Sequence, residues 1–117
     1  MTDGAQGSEG LTLEIDDGPD GRVVLRPVGA LDIASSDRVD DAIVAAFERD
    51  PAAVRLDLRD VTFLDSSGLR GVIRAYRLAS ERDVGFEVVP GPPAVQRVLE
   101  VTGIARRLMF VVPGEAG

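Results

Sequence analysis

Twice along this chain an apolar run ends in aspartate and gives way to a pattern of helical period. The two runs are VGALD at positions 28–32 and VTFLD at 61–65. Val39, Ile43, Ala46 and Phe47 follow the first; Leu69, Val72, Ile73 and Tyr76 follow the second. A switch from a period of two to one near 3.6 marks a strand followed by a helix. Repeated in one short chain, it implies parallel strands joined by helical crossovers.

The rest of the chain fits that frame. LTLEI (11–15) alternates apolar and polar residues, and DDGPDG (16–21) should close a hairpin onto RVVLRPVGAL (22–31). Pro27 has no N–H for a sheet ladder, which predicts an edge position or a bulge. Ser35 or Ser36 is expected to cap the first helix, with Asp37 favourable near its positive end. VRLDL (54–58) reads as a strand of which VTFL is the continuation, and VGFEVV (84–89) as the next strand. Pro93 suits the first turn of a third helix, with Val95, Val98, Leu99 and Thr102 on one face and Gly103 as its stop. RLMFVV (107–112) closes the pattern β-β-α-β-α-β-α-β.

The 117 residues suffice for one domain with one core. The expectation is a single α/β domain over residues 11–112. It has a mainly parallel mixed sheet, an N-terminal hairpin and three or more helices, with tails at 1–10 (mobile) and 113–117. Sites in open α/β sheets form at the carboxyl ends of strands. Asp32 and Asp65 are therefore expected at one end of the sheet.

Composition narrows the chemistry. The chain has no Cys, His, Lys or Trp. Thiolate chemistry, the usual zinc ligand sets, a Ser-His-Asp triad, Schiff bases and a P-loop lysine are all excluded. The net charge of −7 argues against nucleic acid and anionic membrane as partners. No apolar stretch approaches the ~18 residues of a membrane span, and MTDGAQGSEG has no signal-peptide core. A cytoplasmic protein without metal or cofactor is the expectation.

The turn Asp65-Ser66-Ser67-Gly68 holds the most specific pattern. Its ordinary explanation is a helix cap, worth about 1 kcal/mol, with glycine allowing a tight turn. Three catalytic readings fail. A nucleophile elbow needs a glycine where Leu64 stands, and a histidine. A glycosidase pair of Asp32 and Asp65 lacks substrate-binding surface in a chain with four Phe and one Tyr. An aspartyl-phosphate site lacks its lysine. What survives is a serine displayed as a substrate, since a helix N-terminus tolerates phosphate. Local chemistry permits either Ser66 or Ser67.

VGALDIASSDRVDDAI, VRLDLRDVTFLDSSGLRGVIRAY, the proline-rich turn and VLEVTGIARRLMFV together resemble a STAS domain. More narrowly, they resemble the bacterial anti-sigma factor antagonists of partner-switching pathways. The resemblance implies a non-enzymatic protein that binds an anti-sigma factor with serine kinase activity and so frees a sigma factor. It implies phosphorylation of Ser66 by that kinase, release of the complex, and resetting by a serine phosphatase. Asp32 and Asp65 match the motif aspartates, Ser67 the neighbour read as a cap, and Gly68 the motif glycine. Arg70 stands where many relatives have glycine, and would partly neutralise a phosphate on Ser66.

Arg70, Arg74 and Arg77 recur at i, i+4 and i+7. They read as a solvated helix surface or, with Leu69, as the surface that meets the partner. Asp32 reads equally as an ordering residue of its own turn. Two other functions stay open: a constitutive STAS scaffold or transport-complex subunit, and a nucleotide or small-ligand binder. The exposed first strand offers an edge for weak self-association.

Overall fold

Leu11, Leu13 and Ile15 turn inward and alternate with Thr12, Glu14 and Asp16, building strand β1 (Leu11–Asp17). The computed structural model describes residues 10–112; of the tails expected at 1–10 and 113–117, all but Gly10 lies outside the described residues. Gly10 belongs to the fold, because its carbonyl accepts the Ala30 amide at 3.0 Å. A short 3₁₀ turn (Pro19–Gly21) closes the hairpin onto β2 (Arg22–Leu31). Then follow α1 (Ser36–Glu48), β3 (Ala53–Asp57), β4 (Val61–Leu64), α2 (Ser66–Arg82), β5 (Gly85–Val89), α3 (Pro93–Val101) and β6 (Met109–Phe110).

The sheet has six strands in the order β1-β2-β3-β5-β6, with β4 paired to β2. β1 runs antiparallel to β2 and all other pairs are parallel. Ile15, Leu25, Leu56, Val88 and Phe110 stand in one row across five strands. That row and its neighbours bury against Val39, Ile43 and Phe47 of α1 and Val72 of α2. α3 adds Val95 and Leu99, packed over β4. As an edge strand, β1 carries exposed Glu14, Asp16 and Asp17.

Three expectations need correction. VTFL does not continue β3 but forms a separate strand, β4. The Arg59 amide donates to the Asp57 carboxylate at 3.1 Å and Val61 N donates to Leu58 O at 3.1 Å, so the chain turns between the two strands. Pro27 is not at an edge, since β2 has strands on both sides. It lies where β2 changes partner: residues 22–25 pair with β3, and 29–31 with β4. Neither parallel ladder asks Pro27 for an N–H, and a register irregularity follows at Gly29/Ala30. Finally, of the expected stripe Leu69, Val72, Ile73 and Tyr76, α2 buries only Val72 and leaves the other three half-buried; Gly68, Gly71, Ala75 and Ala79 share the inward face. Small residues there bring the helix backbone close to its neighbours.

Candidate functional site

Leu31 and Leu64 are paired in register, and the Asp65 amide donates to the Leu31 carbonyl at 3.3 Å. The ends of β2 and β4 therefore lie side by side, and Asp32 and Asp65 leave the sheet at the same end. Gly68 lets α2 start against this end. A Cβ there would collide with the Leu31 carbonyl oxygen and lie 2.6 Å from Leu64 Cδ1.

Asp65 is the N-cap of α2. Its Oδ1 accepts the amides of Ser67 at 2.9 Å and Gly68 at 3.1 Å. Sequence reasoning assigned this cap to Ser67; the structure makes Ser67 a capped residue, whose amide donates. Both residues are favourable caps, and which one serves depends only on where the helix begins. Ser66 is the first helical residue and is exposed. Among the described residues its hydroxyl makes no hydrogen bond.

Asp32 is tied into its own turn. Its Oδ1 accepts the Ser35 amide at 3.2 Å, while the Asp32 amide donates to Ser35 Oγ at 3.1 Å. The buried Ser35 hydroxyl also lies 3.1 Å from Ala30 O. Ser35 thus occupies the N-cap position of α1 without capping it, and the Ser36 hydroxyl bonds Ile33 O instead. The cap expected from these serines is replaced by a closed Asp32–Ser35 loop.

Arg70, Arg74 and Arg77 are all exposed, and with Asp40, Ile73, Leu78 and Glu81 they line a surface groove. Among the described residues none of the three forms an ion pair. Leu69 sits half-buried against the core.

Two residues near this end escaped sequence reasoning. Ile33, directly after Asp32, is 76% exposed, and Phe63, three before Ser66, is 52% exposed. The signal for Ile33 was an apolar residue in a polar turn with no periodic partner. The signal for Phe63 was weaker, because VTFL reads as an ordinary strand. A third missed group is Asp57, 2% exposed, held by Arg59 (2.8 and 3.1 Å) and Arg26 (3.5 Å). Burial alone would raise its carboxyl pKa. The Arg59 hydrogen bonds, from side chain and amide, together with the Arg59 and Arg26 charges outweigh burial and hold it below the ordinary value.

This arrangement suits recognition more than catalysis: a fixed carboxylate, an unbonded hydroxyl and exposed apolar side chains around a strand end. Among the described residues no helix is long and apolar enough to cross a membrane.

Comparison with known proteins agrees with that geometry. The STAS domain family matches residues 11–115. The anti-sigma F factor antagonist of Paenibacillus polymyxa is 31% identical over 85 residues, 72% of this chain and 73% of that protein. An anti-sigma factor antagonist from Mycobacterium paratuberculosis superposes with a TM-score of 0.82 at 28% identity, covering 93% of this chain and 91% of the other. The antagonist SpoIIAA of Bacillus shares the fold in both of its forms. Unphosphorylated, it has a TM-score of 0.75 at 22% identity, covering 90% of this chain and 92% of its own. Phosphorylated, it has 0.70 at 21%, covering 90% and 96%. With its strand-end turn built on Asp65, Ser66 and Gly68, this chain belongs to the STAS domain family, among the anti-sigma factor antagonists.

Proposed function

We propose that the unmodified protein binds an anti-sigma factor that is also a serine kinase, and that phosphorylation of Ser66 ends the complex. The carrying observation is that Ser66 offers an exposed, unbonded hydroxyl at the same end as the exposed Ile33 and Phe63. Apolar side chains left in water beside a polar rim are what a protein partner covers. The kinase transfers the γ-phosphoryl group of ATP to Ser66 Oγ. An ester bond forms, the bond to ADP breaks, and the hydroxyl proton leaves to a base on the kinase. A serine phosphatase hydrolyses the ester and resets the switch.

The phosphate brings nearly two negative charges to a surface that already holds Asp32 and Asp65. Desolvating that dianion within a docked interface costs about 3–4 kcal/mol, a several-hundred-fold loss of affinity. Asp32 and Asp65 add to the field, while their hydrogen bonds keep the loop shape constant. Leu69, Arg70, Arg74 and Arg77 extend the footprint along α2, where free guanidinium groups suit an acidic partner surface.

A second reading keeps the domain and drops the kinase. It is favoured by the local hydrogen bonds of both aspartates, which account for them as turn and cap residues without a switch. Incubation with ATP and an extract of the host, followed by phosphosite mapping with Ser66→Ala as control, decides between them. Phosphate on Ser66 that disappears in the variant is expected. Phosphate on Ser67 would move the site by one residue. No phosphate, from an extract shown to modify a related antagonist, would leave a constitutive scaffold.

A further inference from the structure

Ser66 opens α2 and Arg70 follows four residues later, so the two stand one turn apart on the same side of the helix. Helical side chains lean toward the helix N-terminus. Arg70 is therefore within one turn's reach of Ser66, while it also lines the groove shared with Arg74 and Arg77. Both residues are exposed, and among the described residues the Arg70 guanidinium is paired with no carboxylate. Asp40 of α1 lines the same groove without forming an ion pair with it. Arg74 and Arg77 lie about 12 and 16 Å farther along the helix axis than Ser66, too far to share the role.

We propose that a phosphate on Ser66 is held in cis by Arg70, so that modification both adds charge and withdraws a guanidinium from the partner-facing surface. This rests on the reading of Ser66 as the modified residue. The order is the favourable one, with the anion N-terminal to the cation at i, i+4. The planar fork of arginine grips phosphate oxygens in pairs, which lysine cannot do. The acidic groups at this end of the sheet are Asp65, whose Oδ1 is held by two amides, and Asp32, whose Oδ1 is held by Ser35. Neither competes for Arg70 within ion-pair distance. The switch thus works through two changes at once. The partner meets a new dianion and loses a cation that had been free to contact it.

The test needs no kinase. Phosphoserine is incorporated at position 66 of the full chain by an expanded genetic code, and its phosphorus resonance is followed against pH. The second ionisation of a free phosphoserine lies near pH ~6. In the wild-type background it should fall about half a pH unit below its value in Arg70→Gln, the size open to an exposed pair. The gap should close at ~1 M salt, where the screening length is ~3 Å. Arg74→Gln should titrate with the wild type. Coincident titrations of wild type and Arg70→Gln would overturn the clasp. So would an equal shift from Arg74→Gln, which would reveal only the general field of the arginines. Because the phosphate is installed during translation, without the kinase, failure here is separate from a failure to find the kinase. Ser66 phosphorylated in the host alongside coincident titrations would sink the clasp and spare the switch.

Discussion

A Cβ at position 68 would run into the Leu31 carbonyl oxygen, and its absence lets α2 begin against the end of β2. Gly68→Ala therefore sets two effects against each other. Alanine gains up to ~1 kcal/mol of helix propensity. Forcing helix and strand apart costs about 1–3 kcal/mol, since the obstacle is backbone and cannot swing aside. The second should win. A net loss of roughly 1–2 kcal/mol in urea denaturation is expected, together with weaker binding to the anti-sigma factor.

Asp65 has two properties that substitution can separate. Asp65→Ala removes the acceptor for two amides and should cost about 1 kcal/mol. Asp65→Asn keeps an acceptor of equal quality and removes the charge, so its stability should stay within a few tenths of a kcal/mol of wild type. Chemical denaturation of both variants checks this. Equal losses in the two would mean that the charge near the helix end matters more than the hydrogen bonds.

Asp57 makes stability depend on acid pH. Its carboxyl titrates lower in the folded protein than in the unfolded chain, near ~3.9. The contribution is therefore complete above the unfolded value and is lost as pH falls through the folded one. Asp57→Asn should flatten stability against pH below about 4. At neutral pH it should cost on the order of 2 kcal/mol, between exposed and fully buried ion pairs, because Arg26 is left without its buried partner. A slope unchanged in the variant would assign acid sensitivity to other carboxylates.

Ile33→Ser and Phe63→Ser test the docking surface. Ile33 lies largely in water, so its replacement should leave stability within ~0.5 kcal/mol. Each variant should weaken binding to the anti-sigma factor by roughly tenfold or more, as exposed apolar anchors at an interface do. Isothermal titration with the purified partner reads this directly. Full affinity in both variants would move the interface elsewhere.

The arginine stripe is tested by reversing its charge. Arg70→Glu, Arg74→Glu and Arg77→Glu combined should lower affinity at least tenfold at low salt, and the deficit should shrink as salt rises. Unchanged affinity would make these arginines an ordinary solvated helix face.

Much of this fold was legible because period-two and period-3.6 patterns follow directly from which face is buried. The hairpin, the three helices and the shared end of Asp32 and Asp65 all follow from that logic. The packing face of α2 was hidden, because Gly68, Gly71, Ala75 and Ala79 carry little hydrophobic signal. Their use is steric: a Cβ at Gly71 would already lie 3.1 Å from Val39 Cγ1. The break between β3 and β4 was hidden for a different reason. VRLDLRDVTFL alternates almost without interruption, and the turn comes from the Asp57–Arg59 contact and from β2 changing neighbours. Exposure of Ile33 and Phe63 depends on what lies over them, which no local pattern encodes.

The change of partner along β2 also divides the sheet by stability. Leu56 and Val88 belong to strands clasped on both sides, whereas β4 is hydrogen-bonded to β2 alone. Amides at the end of β4, including that of Asp65, should exchange with solvent through small local openings long before those of β3 and β5. Such openings would loosen the end that carries Ser66 while the rest of the domain stays shut, which would let the proposed kinase seat the serine without unfolding its substrate.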